Sequence, residues 1–257
     1  MWTREELKSL AKLSLKGNYW KAFLISLVLS LASGSGNGGS AGRAGDTASE
    51  YMRNNPDAFI IIIAVIILSI AYRLLLGYPL EIGSRKYYVQ LGQFKNTDGC
   101  YNFAFDSTNY KGIIGTMLLR DIYLTLWSLL FLIPGIIKAY SYRMVPYILA
   151  DNPNMGADNA IKLSRKMMDG NKLESFVLDL SFLGWIILGV LALIIGVFFV
   201  NPYIYATEAQ LYLVLRKNAL DYGYCTHEDL NLQRETNDFN DYNNYKSDDD
   251  YFKLDDN

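Results

Sequence analysis

The chain has 257 residues, of which 51% are hydrophobic and only 19% are charged. Soluble domains usually carry about 25% charged residues. Here the missing charge is concentrated in long uncharged blocks, which excludes an ordinary soluble domain. Two cysteines exclude a disulfide framework, and the single histidine, His227, excludes a His-based metal centre or a Ser-His-Asp triad within the fold.

The formal net charge of −2 divides unevenly along the chain. Residues 1–217 hold 21 basic and 15 acidic residues, whereas residues 218–257 hold 3 basic and 11 acidic residues. No basic stripe with interleaved aromatic residues occurs outside membrane-flanking positions, so nucleic-acid binding is not expected. The pattern predicts a basic membrane domain over 1–217 and an acidic, disordered tail over 218–257.

The N-terminal segment 3–16 predicts an amphipathic helix. Thr3 and Glu6 have capping-box spacing, which would satisfy two unpaired backbone donors. Three lysines recur every four residues: Lys8, Lys12 and Lys16. We expect this helix to lie in the membrane interface, with these lysines contacting anionic headgroups. The alternative is a cytoplasmic flank that only fixes the topology.

Long apolar segments predict an all-α, polytopic helical bundle. Residues 58–72 and 180–207 contain no charged residue, and a membrane-spanning helix needs about 20 apolar residues. We predict six spans: 19–34, 57–78, 112–132, 135–150, 175–190 and 193–215. Pro134-Gly135 is the expected turn between the third and fourth. The alternative is four long spans, with 122–140 and 180–201 each crossing once.

Basic residues orient these spans by the positive-inside rule. They cluster in 1–21, 85–111 and 143–172, which are therefore expected in the cytoplasm. The Gly-rich loop 33–57 is then external, and both termini are cytoplasmic. The sequence GSGNGG within this loop matches a dinucleotide fingerprint only formally, because no strand precedes it.

Two segments resemble each other and indicate internal repeats. KGNYWKAFLISL at 16–27 and DGNKLESFVLDL at 169–180 share a Gly-Asn start followed by a Phe at the same distance. Apolar runs that end in Pro and continue into a Tyr-bearing helix recur three times. We interpret these as three helical hairpins around an axis along the membrane normal. The alternative is that Pro and Tyr are simply common near membrane interfaces.

The string at 4–27, RxELKxxAKxxLKGNYWKAFLISL, resembles an uncharacterised family of bacterial integral membrane proteins, the domain of unknown function 975. The similarity continues through IPGIIKAYSYRMVPYILADNP at 133–153, AIKLSRKMMDGNK at 160–172, LDLSFLGW at 178–185 and NPYIYATEAQLY at 201–212. The resemblance implies a bacterial cytoplasmic-membrane protein with several helices. It implies no activity.

Ionisable residues within predicted spans are the candidates for function, because charge inside a membrane is costly. Arg73 and Asp179 are two of them. Six more are our candidate buried polar residues: Glu81, Arg120, Asp121, Lys138, Arg143 and Glu208. If the hairpins pack around one axis, these groups converge and form a polar pathway or headgroup site. The alternative is that each lies near a span end and is paired locally or reaches toward water.

A second amphipathic helix is predicted over 157–169, with a basic face directed at anionic lipid or a partner. Its candidate headgroup contacts are Lys162, Arg165 and Lys166. The alternative is a connector that only orients the next span. The run 248–250 lacks the Gly and terminal Glu of a calcium loop, and we expect no metal or other cofactor.

Three function classes follow. The first is a membrane protein that handles lipid or a small solute through its bundle. The second is a scaffold or assembly factor that acts through the basic cytoplasmic helices and the acidic tail. The third, a membrane enzyme, is disfavoured because no nucleophile–base pair or metal cluster lies at one depth. The partners expected are the bilayer and its anionic headgroups.

Overall fold

The computed structural model describes residues 2–33, 58–191 and 195–232. These residues fold into helices joined by short turns, and no strand occurs among them, so the all-α prediction is confirmed for this part of the chain. The helices are α1 Arg4–Leu15, α2 Tyr19–Ser33, α3 Ala58–Tyr72, α4 Tyr78–Gly92, α5 Cys100–Phe105, α6 Ser107–Leu130, α7 Leu132–Ser141, α8 Val145–Asp151, α9 Ala157–Met167, α10 Lys172–Leu191 and α11 Ile195–Asp221. A π-helical turn over Arg73–Gly77 joins α3 to α4.

Helix α1 begins where the sequence predicts. The Thr3 hydroxyl accepts a hydrogen bond from the Glu6 backbone N–H at 3.2 Å, which satisfies one of the unpaired donors at the helix start. The face that carries Leu7, Ala11 and Leu15 is buried, and the helix packs chiefly on α11. Two lysines of this helix, Lys8 and Lys12, lie over aromatic rings of α10 and α11.

Three helices in the described ranges are long and apolar enough to cross a membrane: Ile60–Gly92, Ser107–Leu130 and Lys172–Val190. Helix α2 is apolar but shorter, at 15 residues. A helical membrane protein is compatible with these lengths and compositions. The fold therefore offers three such helices, where the sequence predicted six spans.

The fourth predicted span, 135–150, is not one helix. Helix α7 ends at Ser141 and α8 begins at Val145, after a turn. Residues 145–150 are all buried within the protein. A short apolar run fills either a core or a membrane equally well, and here tertiary packing places it in the core.

The chain reverses between α6 and α7 at Phe131, whose backbone is extended, with φ −157° and ψ 145°. The predicted turn at Pro134-Gly135 lies three residues too late. Pro134 instead occupies the first turn of α7, where the missing N–H leaves no hydrogen bond unmade. Since the chain breaks here, the alternative of one span over 122–140 is wrong.

Helix α2 packs beside α4, although the sequence predicted a hairpin with 57–78. The Tyr88 hydroxyl donates to the Ala22 carbonyl at 2.7 Å, and the Arg73 guanidinium donates to the Ala32 carbonyl. These two contacts show that α2 runs antiparallel to α4. Helix α3 therefore extends beyond α2, and most of its isoleucines are exposed. A helix that is apolar on every side is typical of a lipid-exposed span.

The structured region extends past the predicted boundary at residue 217. Helix α11 continues to Asp221, and Gly223 then reverses the chain with φ +68°. Residues 222–232 return to the protein, and Leu230 is completely buried. The prediction of disorder therefore fails for 218–232, because apolar side chains in this stretch find partners. Residues 233–257 of the tail, and 34–57 of the Gly-rich loop, lie outside the described residues.

Candidate functional site

Two arginines and two carboxylates form a buried ion-pair network between α4, α10, α11 and the turn after α7. We call Arg85, Arg143, Asp179 and Glu208 the inner network. Arg85 Nη1 lies 2.6 Å from Glu208 Oε2, and Arg143 Nη2 lies 2.9 Å from Glu208 Oε1. Arg143 also donates to both oxygens of Asp179, at 2.8 Å each.

Tyrosines complete the inner network. The Tyr147 hydroxyl accepts from Arg85 at 2.7 Å and donates to Glu208 at 3.0 Å. The Tyr140 hydroxyl donates to Asp179 at 2.7 Å. The two positive and two negative charges balance, and each carboxylate has at least two donors. This pairing stabilises Arg85, Arg143 and Glu208, whose side chains are only 13–15% exposed, whereas Asp179 is 35% exposed.

A second network lies where the π-helical turn, α4 and α6 meet. It comprises Arg73, Glu81, Arg120 and Asp121, and we call it the outer network. Arg73 Nη2 lies 3.1 Å from Glu81 Oε2, and Arg120 Nη2 lies 2.7 Å from Asp121 Oδ1. The Tyr78 hydroxyl donates to Asp121 at 2.9 Å. This network too has two charges of each sign.

The structure divides the six predicted polar residues into separate places. Glu81, Arg120 and Asp121 meet in the outer network, and Arg143 and Glu208 meet in the inner one. Lys138 joins neither. Its ammonium group lies 4.5 Å from the centre of the Trp127 ring, and its side chain is half-buried. The predicted convergence of acids and a base around one axis therefore does not include this lysine.

Sequence reasoning missed Arg85. Its position in the run Ser84-Arg85-Lys86 resembles a cytoplasmic flank, and it was counted among the orienting charges of 85–111. Its position one helical turn after Glu81 was the available signal, because i and i+4 side chains share a face.

A groove of about 960 Å³ lies beside α9, between α7 and the returning residues 222–232. Five cationic side chains line it: Lys138, Lys162, Arg165, Lys166 and Lys172. Asp169, Glu228 and Asp229 also line it, so cations outnumber acids. We call this feature the basic groove.

Two of the groove acids already have partners. Asp169 lies 3.3 Å from Lys172 Nζ, and the Asp229 carboxylate accepts the Thr226 backbone N–H at 2.8 Å. Lys138, Lys162 and Arg165 form no ion pair with any residue in the described ranges. With five cations against three acids, the groove has an excess of positive charge, which is suited to an anionic group.

Comparison with known protein families identifies part of the chain. Residues 117–219 match the family described as Protein of unknown function (DUF975). We call residues 117–219 the DUF975 region, because they are similar to this family. The resemblance predicted from the sequence is thereby confirmed over that stretch. No curated protein and no solved structure matches the chain.

The DUF975 region contains most of the basic groove and three of the four charges of the inner network. Arg143, Asp179 and Glu208 lie within it, and Arg85 lies before it. The predicted headgroup residues Lys162, Arg165 and Lys166 also lie within it and line the groove. Lys166 lies 5.4 Å from the centre of the Tyr224 ring, outside the region.

The predicted headgroup lysines of α1 lie elsewhere. Lys8 Nζ lies 4.3 Å from the centre of the Phe182 ring, and Lys12 Nζ lies 5.8 Å from the centre of the Tyr203 ring. Burial lowers the pKa of Lys8, and the positive charges of Arg4 and Lys12 add to this. Lys16 is exposed at the end of the helix. These three lysines are separate from the basic groove.

Cys225 lies on the wall of the basic groove, after the DUF975 region. Burial, and then the negative charge of Asp229, raise the pKa of its thiol to about 11. The side chain is therefore a neutral thiol at physiological pH and not an activated nucleophile. Among the residues that the structure describes, no group of three His, Cys, Asp or Glu side chains could hold a metal ion.

Because its thiol is neutral at physiological pH, we expect Cys225 to be alkylated slowly in the folded protein. In a Cys100→Ser variant at pH 8, only about one thiol in a thousand is ionised when the pKa is near 11. Iodoacetamide should modify the folded protein about a hundredfold more slowly than the denatured chain, as followed by mass spectrometry. The rate should rise about tenfold per pH unit up to pH 10. Equal rates in the folded and denatured protein would contradict this burial.

Proposed function

We propose that the protein is a multi-pass protein of the bacterial cytoplasmic membrane that binds anionic lipid in its basic groove. In this proposal both termini and the groove lie on the cytoplasmic side. The protein acts as a binding protein and not as an enzyme. The positive-inside pattern supports the orientation, because the groove is lined from the basic segment 143–172.

One observation carries the lipid assignment: the basic groove is continuous with an exposed apolar surface. On α7, Ile133 is 72% exposed and Ile136 is 50% exposed. Ile137 and Lys138 follow directly and line the groove. An amphiphile can place its acyl chain against the isoleucines and its anionic head among the cations. A free anion without an acyl chain would contact only the cations of the groove.

The inner and outer networks favour the groove over the bundle interior as the binding site. In each network the two arginines are balanced by two carboxylates and joined to tyrosine hydroxyls. Such groups need no bound solute to neutralise them. We therefore assign these networks to stabilising the fold, and the groove to binding.

Native mass spectrometry of the protein released gently from its own membrane tests this proposal. The wild-type protein should retain anionic phospholipid at fixed stoichiometry. The variant Lys138→Gln/Lys162→Gln/Arg165→Gln should lose it, because a basic residue near an anionic lipid contributes about 1 kcal/mol, and three together correspond to about a hundredfold in affinity.

The α1 lysines provide a control with the same loss of charge. The variant Lys8→Gln/Lys12→Gln/Lys16→Gln should keep the bound lipid, although its binding to the bilayer surface is expected to weaken. Equal retention of lipid by the groove variant and the wild type would overturn the assignment. Equal loss in both variants would indicate unspecific attraction and would also overturn it.

A scaffold is the second candidate function. The self-neutralised networks favour it, because they give the bundle a fixed interior with no unbalanced charge for a solute. In the same experiment a scaffold would carry another polypeptide at fixed stoichiometry and no specific lipid. This polypeptide should dissociate when residues 233–257 are removed.

A further inference from the structure

The structure brings the acidic end of the chain to the edge of the basic groove. After α11, Gly223 reverses the chain, and Tyr224 then lies against Lys166. The Asn152 side-chain amide donates to the Asp229 carbonyl at 2.9 Å, and Leu230 is fully buried. These contacts fix residues 222–232 as one wall of the groove. The remaining chain therefore starts from a fixed point beside the groove.

The remaining 25 residues, 233–257, have the charge that the groove lacks. They contain eight acidic and three basic residues, and four of the acids lie in one eleven-residue stretch, 240–250. An extended chain spans at most about 3.5 Å per residue, so even the first ten residues reach about 35 Å. This reach is long compared with a groove of about 960 Å³, one wall of which is formed by residues just before the chain passes Leu232.

We propose that residues 233–257 occupy the basic groove of their own chain and exclude anionic headgroups from it. Tethering supports an intramolecular contact, since a short flexible link gives an effective concentration on the order of millimolar. The charged partners are Lys138, Lys162 and Arg165, which have no acidic partner elsewhere in the described ranges. The contact should weaken with salt, because the groove is open to solvent. Only the exclusion of headgroups rests on the function proposed above.

Carbodiimide cross-linking of the purified full chain tests the contact itself. This reagent joins a carboxylate directly to a lysine amine. We expect bonds from the acids of 233–257 to Lys138 and Lys162, and few to Lys12 on α1. The pair Lys217 and Asp221, with 3.4 Å between Nζ and Oδ2, does not line the groove and provides an internal standard.

A full-length variant keeps the tail but removes part of its charge. In Asp248→Asn/Asp249→Asn/Asp250→Asn the bonds to the groove should fall severalfold while the internal standard is unchanged. Equal bonding to Lys12 and to the groove lysines would overturn the proposal. Bonds between differently isotope-labelled copies would also overturn it, because the occupant would then be a second chain.

Lipid capture tests the exclusion of headgroups. In nanodiscs of phosphatidylcholine, the protein should capture soluble short-chain phosphatidylglycerol about tenfold more tightly after truncation at Leu232. The Asp248–Asp250 variant should fall between the two, and 0.5 M salt should remove the difference. No gain on truncation would overturn the exclusion.

Failure of the two proposals can be told apart. If cross-links to the groove form but no chain, truncated or full, captures the lipid, the lipid function fails and the tail contact remains. If the full chain captures lipid through Lys138, Lys162 and Arg165 as tightly as the truncated chain, the tail proposal fails and the lipid function remains.

Discussion

Replacing Glu208 by alanine is expected to destabilise the protein by about 3–5 kcal/mol, because it leaves a buried charge without its partner. That charge is Arg85. Its Nη1 lies 2.6 Å from Glu208, which is the carboxylate it pairs with among the described residues. Arg143 would be affected less, since it keeps its two hydrogen bonds to Asp179. The loss should lower the thermal midpoint by about 10 °C.

A double variant separates the loss of pairing from the loss of packing. Arg85→Met/Glu208→Met removes one charge of each sign and leaves the Arg143–Asp179 pair intact. A buried pair replaced by apolar side chains of similar size is often close to neutral in stability. The double variant should therefore recover more than half of the loss caused by Glu208→Ala.

Thermal unfolding of the detergent-solubilised protein, followed by tryptophan fluorescence, measures these differences. Glu5→Gln is the control, because Glu5 is exposed on α1 and should change the midpoint little. If the double variant is less stable than Glu208→Ala, unpaired charge is not the cause of the instability. In that case the packing of the long side chains would dominate.

The cost of charge in a membrane made part of the candidate site predictable. Because such charges must be paired or reach water, Glu81, Arg120, Asp121, Arg143 and Glu208 could be named from the sequence. Their partners could not, since pairing depends on how helices pack. Arg85 illustrates this, because only the approach of α11 to α4 shows that a residue in a basic run is buried against Glu208.

The start of helix α1 was predicted better than the contacts between helices. The Thr3 cap is a local signal, and local signals survive in the fold. The pairing of α2 with α4 depends on distant contacts such as Tyr88 to Ala22, which no periodicity reports. The prediction of a span over 135–150 had the same limitation, because the short run 145–150 fits a protein core as well as a bilayer.

The basic groove shows why composition alone misplaces the boundary between the folded part of the chain and its tail. The acidic composition after residue 217 predicts disorder over the whole tail. Within it, Cys225 and Leu230 supply enough apolar surface to hold the chain against the bundle. A few buried side chains therefore hold residues 222–232 against the bundle, and they place Glu228 and Asp229 on the basic groove.

Replacing Gly189 by leucine is expected to separate α10 from α11 and to destabilise the protein by about 1–3 kcal/mol or more. A Cβ atom at this position would lie 2.7 Å from the Val197 backbone nitrogen and 2.9 Å from the Gly196 carbonyl carbon. Backbone atoms cannot yield as a flexible side chain does. The two helices can approach this closely only because the glycine has no side chain.

Gly184 provides a matched control on the same helix. It is exposed, and a Cβ added there meets no atom within 4 Å. Gly184→Leu should leave the thermal midpoint unchanged or raise it slightly, because leucine favours a helix by up to about 1 kcal/mol over glycine. The difference between the two variants therefore reports the contact between helices and not the substitution as such.

The same pair of variants decides between a hairpin and a single long span at this place. In the alternative of one span over 180–201, Gly189 and Val197 would lie on one helix about two turns apart and could not touch. Both leucine variants would then behave alike. Because Gly189 of α10 lies against Val197 of α11, we expect only Gly189→Leu to lower the thermal midpoint, and equal midpoints would contradict the packing of α10 on α11.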